Sequence, residues 1–412
     1  MRRCSSIMKI LHINEHYGNV GGAERYLSEI CSAQVKRGED PVIVASSEGA
    51  IHNAAPSPRV YPLTPSFGLR STRRAAAPLK RILHAERPDV VHLHNIQYFV
   101  GPLLVRMLQS HAPVIQTVHD TRVICPRWLS KIIPSRTSPC EYPMGSHCFR
   151  HGCYPFHGMP TSATGSLQKF LLVGWELALL RRLDRVLVPS TYMHEQLRIN
   201  GISAQRLEKM PLFLPANFTP LDKRTGTPRV VFAGRIDESK GIRQFFDCLA
   251  RLSTLAWKAQ VAGSGPFLAE AKAIAKQQGL MERVEFLGQL PVDALAHVFR
   301  SARVVVMPSL MPESFGLTGL EALACGTPVV AFDSGGITEW LNDGVTGFVV
   351  PWGDVYALAA RVRQLLEDSP LAEKLGRQSQ QHARQFDRER HVNRLLEIYA
   401  EVAAARRRSV AR

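Results

Sequence analysis

The chain has 412 residues, 45% apolar and 21% charged, which suits two domains with ordinary cores and excludes a disordered or fibrous chain. No stretch of 18 uninterrupted apolar residues occurs, which argues against a membrane-spanning helix. The net charge of +16 lies mostly in the amino-terminal half. With no nucleic-acid motif and no compact basic helix, DNA and RNA are disfavoured, which leaves an acidic acceptor or an anionic lipid surface as partners for that excess.

The opening MRRCSS is polar and the ILHI that follows is too short for a secretory signal, so a cytoplasmic location is expected, at the inner face of the plasma membrane. Strands are predicted at Ile10–Ile13, Pro41–Ala45, Asp89–His94, Val114–Val118 and Arg185–Pro189, with helical segments between them. That alternation argues for a parallel sheet covered by helices. Gly21 and Gly22 follow the first strand, and a loop without Cβ atoms lets backbone N–H groups approach a phosphate or hydroxyl. Glu24, on the next helix, is expected to orient that loop. His92 and His94 alternate along VVHLHN and are read as facing opposite sides. His119 and Asp120 close the strand VIQTVHD.

Residues 121–165 break the pattern, with many Pro, Gly and Ser, and Pro155–Ser166 reads as loop. Cys125, Cys140, Cys148 and Cys153 fall here. They lack the paired Cys-x-x-Cys of common zinc sites, which leaves two readings: free buried thiols, or a structural zinc to which His119, His147 or His151 contributes. The apolar window Phe170–Leu180, flanked by Lys169, Arg181 and Arg182, reads as an amphipathic helix packed on its own domain or resting on a membrane.

Prolines between Lys209 and Thr227 mark a linker. Beyond it the alternation resumes, with strands at Arg229–Ala233, Ala259–Ala262, Val284–Leu287, Val304–Pro308 and Pro328–Phe332. In VVFAGRIDESKG a strand runs into Gly234, then Arg235 and Lys240, a fork and a point charge suited to a diphosphate. Gly263-Ser-Gly265 ends the next strand, and the absence of Gly-x-Gly-x-x-Gly there counts against a dinucleotide oxidoreductase. In PESFGLTGLEALACGTP, Glu313 sits in a loop and Glu321 opens an Ala/Leu-rich helix. The N–H groups of Phe315, Gly316 and Leu317 then stand at a helix start, where phosphate binds readily. Two carboxylates beside such a site suggest a ligand bearing hydroxyls and phosphates, such as a nucleotide sugar.

The ordered set Gly21-Gly22-Ala-Glu24, His119-Asp120, Gly234-Arg235…Lys240-Gly241, Gly263-Ser-Gly265 and Glu313…Glu321 resembles the retaining glycosyltransferases of family four. The resemblance implies the α/β GT-B fold: two Rossmann-like doubly wound domains facing a cleft, with a carboxy-terminal helix crossing back to the first. It implies an acceptor-side domain over residues 1–215 with the Cys-rich insertion 121–165, a donor domain over 216–385, and the crossing helix over 386–412. It further implies sugar transfer from a nucleoside-diphosphate sugar to an acceptor hydroxyl with retained configuration and no catalytic cofactor. Exopolysaccharide, lipopolysaccharide or glycolipid chains are the products, and a carbohydrate or lipid-linked saccharide is the acceptor. In that frame Arg235 and Lys240 neutralise the diphosphate, Glu313 takes sugar hydroxyls and Glu321 the ribose. His119 contacts the sugar or, if protonated, the phosphate, while backbone groups at Gly288 and Leu290 meet the base. Two rivals share these grips: an epimerase or phosphorylase of the same fold, and a catalytically silent nucleotide-binding partner subunit.

Overall fold

The computed structural model describes residues 7–17, 21–46, 58–63, 68–96, 102–127, 131–134, 138–154, 163–215, 218–219 and 226–410. Two separate parallel sheets organise the chain. The first has seven strands in the order Arg59–Leu63, Asp40–Ser46, Lys9–Ile13, Val90–Leu93, Val114–Thr117, Arg185–Val188, Leu207–Lys209. The second has six, in the order Val284–Gly288, Lys258–Ala262, Arg229–Ala233, Val304–Met307, Val329–Phe332, Gly347–Val350. In both, order reverses beside the first strand, the mark of a doubly wound sheet.

Because each sheet is buried on both faces, its strands are runs of Val, Ile and Leu without polar alternation. In the first sheet Leu11, Val42, Val91 and Val114 face one helical layer. Their neighbours Ile10, Ile43, Val90 and Ile115 face the other. That second layer consists of α1 (Gly22–Lys36) and, from far along the chain, the helix Arg388–Val410. The far helix carries Val392, Leu395, Ile398 and Tyr399 into the first domain's core, and Arg388 pairs with Glu29 of α1 at 2.6 Å.

Three strands of the two large sheets escaped the sequence reading, Arg59–Leu63, Leu207–Lys209 and Gly347–Val350, as did the short pair Ile132–Ile133 and Ser138–Pro139 in the insertion. The first two lie at the edges of their sheet, where short, partly polar segments suffice because only one neighbour holds them. A second correction concerns Pro155–Ser166, read as loop. A helix, α2 (Ala163–Leu180), already covers Ala163–Ser166, while 155–162 lie outside the described residues. No helix among the described residues is long and apolar enough to cross a membrane.

Candidate functional site

A cleft of about 310 Å³ opens where the carboxyl ends of the two sheets face each other, beside both points of reversal. Gly234, Arg235, Lys240, Glu313, Phe315, Gly316, Leu317 and Thr318 line it from the second domain, and Gly22, Ala23 and His119 from the first.

Lys240 ends a short 3₁₀ turn, Glu238–Lys240, and Gly241 after it adopts φ 74°. A Cβ on Gly241 would stand 1.7 Å from the Pro308 carbonyl oxygen, so glycine lets this turn press against the neighbouring strand exit. Pressed there, the Lys240 ammonium meets both oxygens of buried Glu313, at 2.7 and 3.0 Å. The Ser309 hydroxyl donates to the same carboxylate at 2.6 Å. Arg235 remains half exposed and pairs with Asp237 at 3.0 Å. Opposite them, α3 (Leu317–Ala324) starts after Gly316, which takes φ 81°, and no side chain caps its first turn. Uncapped N–H groups facing a cleft that also holds two cations suit an anion.

Glu321 departs from expectation: the helix starts four residues earlier, so Glu321 lies one turn in and is buried. Its carboxylate accepts from Arg25 Nη1 at 2.9 Å. Burial pushes the Glu321 pKa up to about 7, against the opposing pull of Arg25. Arg25 belongs to α1, so this ion pair ties the two domains together across the cleft. Sequence reasoning stopped at Glu24 and passed over Arg25. The available signal was its place on the first turn after Gly21-Gly22, a helix entry aimed at the opposite domain. Glu24 accepts from Asn14 Nδ2, just past the first strand, at 3.2 Å and does not cap the helix that starts at Gly22.

Gly21, Gly263, Gly265, Gly288, Leu290 and Glu321 are not among the residues lining the cleft. Cβ atoms on Gly263 and Gly265 would lie 1.8 and 2.2 Å from the carbonyl oxygens of Gly234 and Ile236. These two glycines therefore let neighbouring loops touch, a packing duty. Leu290 packs against an apolar cluster of the second domain.

His92 and His94 do not face opposite sides. Strand residues two apart project to the same face, and their rings lie 4.2 Å apart. His12, in register with His92 on the adjacent strand, joins them. His94 contacts His12 and His119 through its two ring nitrogens, each at 3.2 Å. Burial lowers the pKa of all four, to about 4 for His12 and about 3 for His119, so the rings are neutral near pH 7. A protonated His119 beside a diphosphate is thereby disfavoured. Among the described residues, His12, His92 and His94 form the group of potential metal ligands whose ligand atoms lie within 4.8 Å of one another.

The four cysteines of the insertion, with His147 and His151, line one small cavity of about 20 Å³; His119 does not reach it. Burial pushes the Cys125 thiol up to about 11 and raises Cys148 and Cys153. Lys131, 1% exposed, lines the same cavity and donates to the carbonyls of Cys140 at 2.7 Å and Tyr142 at 3.2 Å.

Comparison with known proteins matches this geometry to a family. The sequence pattern described as Glycosyltransferase Family 4 matches residues 20–214, and that described as Glycosyl transferases group 1 matches residues 215–382. A D-inositol 3-phosphate glycosyltransferase of Salinispora tropica is 42% identical over 134 residues, covering 32% of this chain and 28% of that protein. D-inositol 3-phosphate glycosyltransferase 1 of Catenulispora acidiphila is 31% identical over 334 residues, 76% of this chain and 72% of that one. Among solved structures, Anabaena Alr3699/HepE in complex with UDP and glucose superposes with a TM-score of 0.71 at 21% identity, covering 96% of this chain and all (100%) of that one. The fold is GT-B, and the chain belongs to glycosyltransferase family 4.

Proposed function

We propose that this protein is a retaining glycosyltransferase that moves a sugar from a nucleoside diphosphate to an acceptor hydroxyl. The observation that carries the reading is the cleft itself: Lys240, Arg235 and the uncapped start of α3 surround one anion-sized space, with Glu313 and His119 beside it. In the proposed reaction the bond from the sugar's anomeric carbon to the diphosphate oxygen breaks, and a bond to the acceptor oxygen forms on the same face. The acceptor's proton passes to the departing diphosphate. Arg235, Lys240 and the first N–H groups of α3 stabilise the charge that develops there. Glu313 accepts from sugar hydroxyls, and Glu321 takes the ribose diol once Arg25 releases it. The solved relative with UDP and glucose supports a nucleoside-diphosphate hexose as donor.

The test is turnover of a panel of nucleoside-diphosphate sugars with and without saccharide acceptors, with product configuration read by NMR. Acceptor-dependent release of diphosphate with retained configuration supports the reading. Release with water or phosphate alone supports the epimerase or phosphorylase class. Binding without turnover supports the silent partner.

For the acceptor we favour a lipid-linked saccharide at an anionic cytoplasmic membrane face. On α2, Leu167, Leu171 and Trp175 recur every fourth residue and are about half exposed, an apolar stripe beside Phe149 and close to Lys169. Vesicle flotation checks this, with Trp175→Ser expected to weaken binding to anionic vesicles. For the insertion, free buried thiols are favoured over zinc, because burial raises Cys125, Cys148 and Cys153 towards the protonated form and, among the described residues, the sulfurs do not gather closely enough to share one ion. Four titratable thiols in metal-free folded protein are expected; about one zinc per chain and a lower melting temperature after chelation would favour the other reading.

A further inference from the structure

The polar groups beneath the cleft can be assigned donor and acceptor roles one by one, because one end of the series is a carbonyl. His391 Nδ1 lies 2.9 Å from the Pro211 carbonyl oxygen, which only accepts, so Nδ1 carries the proton. Burial keeps His391 neutral, which leaves Nε2 as an acceptor for the Tyr26 hydroxyl at 2.8 Å. Tyr26 has one proton and has spent it, so towards neighbouring Thr117, whose hydroxyl pulls its pKa down, it can only accept. Thr117, having donated, accepts from His92 Nε2 at 2.8 Å. His92 Nδ1 then accepts from the Tyr399 hydroxyl at 2.7 Å, and Tyr399 accepts from Gln34 Nε2 at 3.5 Å. Gln34 thus turns its Oε1 to His12, whose Nε2 donates at 3.0 Å. His12 Nδ1 accepts from His94 Nε2, and His94 Nδ1 accepts from His119 Nε2.

We infer that this one-directional chain, anchored at the Pro211 carbonyl in the segment joining the domains, holds His119 as the neutral Nε2–H tautomer. His119 therefore offers Nδ1 to the cleft as a hydrogen-bond acceptor. This deepens the proposed function and rests on it for the ligand: the histidine recognises a donor-sugar hydroxyl and supplies no positive charge to the diphosphate. Tyr26, Tyr399, Gln34 and His391 are positioning residues, since they act through His119. Two of them, His391 and Tyr399, stand on the helix that returns from the second domain, so its seating and the proton position in the cleft are coupled.

The experiment is a long-range proton–nitrogen NMR correlation on full-length protein labelled with ¹⁵N-histidine. His391 is expected as the Nδ1–H tautomer, and His12, His92, His94 and His119 as Nε2–H, all neutral at pH 7. His119 found as Nδ1–H or as imidazolium overturns the inference. So does a metal ion bound by His12, His92 and His94, read by elemental analysis, because it would take lone pairs that the chain uses. Tyr399→Phe cuts the chain and frees the Gln34 amide to reverse. His119 should then sample both tautomers, and sugar-nucleotide affinity should fall about twofold, in proportion to the fraction that keeps the competent tautomer, with diphosphate affinity unchanged. Equal loss for both ligands in a folded variant would mark a merely structural role and overturn the inference. If Tyr399→Phe fails to fold, Tyr26→Phe makes the same cut nearer the anchor. A protein that binds no nucleoside diphosphate at all sinks the proposed function, while the tautomer spectrum still judges the chain.

Discussion

On the second-domain side of the cleft, Lys240 and Glu313 stand on loops 73 residues apart and meet directly as a part-buried ion pair at the cleft wall. On the first-domain side, His119 leans on a buried series in which Tyr26 and His391 are 365 residues apart. The second side is built from charges held at the rim by tight glycine turns. The first is built from neutral polar groups placed in a core that Val, Ile and Leu otherwise fill. Charges at a rim can trade a carboxylate partner for a ligand's phosphate at little structural cost. A buried polar series holds its geometry because any break strands a polar group in a low-dielectric interior.

The sharpest way to break this comparison is Lys240→Ala. It should lower turnover about 100- to 1000-fold, roughly 3–4 kcal/mol of transition-state stabilisation, and also lower the melting temperature, because the buried Glu313 carboxylate loses its cation. Initial rates of diphosphate release measure it, and an unchanged rate removes Lys240 from the reaction. Next comes Gly263→Ala, where φ is 141° and a Cβ would stand 1.8 Å from a carbonyl oxygen. Loss of about 3 kcal/mol of stability in denaturant titrations is expected. Intact stability with weakened nucleotide binding would instead make Gly263 a ligand contact.

The two sides should also part company with pH. Folding depresses His12 and His391 to about 4 and His119 to about 3, from an ordinary 6.5. A depressed pKa gives stability that is full above 6.5 and lost as pH falls through the folded values. Glu321, raised from 4.5 to about 7, acts in reverse, and its contribution is lost as pH rises across that interval. Several histidines outweigh one glutamate, so the melting temperature should fall from pH 6.5 towards 4, and His391→Gln should flatten that slope. A melting temperature that rises on acidification would contradict this assignment. The smallest effect is expected from Glu339→Gln, which loosens the interdomain pair with half-exposed Lys209. Its cost should stay within about 1 kcal/mol by thermal melting.

The same contrast explains what could be read from sequence. Arg235, Lys240, Glu313 and Gly316 announce themselves because a rim site built on consecutive loop residues leaves a local pattern. Most strands were equally legible, since burial on both faces demands unbroken apolar runs. Edge strands such as Arg59–Leu63 carry a weaker demand and left a weaker trace. His12, His92, Gln34 and Tyr399 gave no local sign of belonging together. Their meeting follows from sheet register and from the returning helix, which no spacing reveals. Arg25 was hidden for the same reason: its partner is 296 positions away.

The returning helix has a consequence for the order in which this protein can be made. A ribosome emits Tyr26, His92 and His119 early, yet Tyr399, Val392 and Leu395, which roof that part of the first domain, emerge only after the whole second domain. Until then the nascent amino-terminal domain has an open apolar face with three buried-to-be histidines upon it. The first domain to be translated is therefore the later one to reach its finished core, and the second acts as its timer.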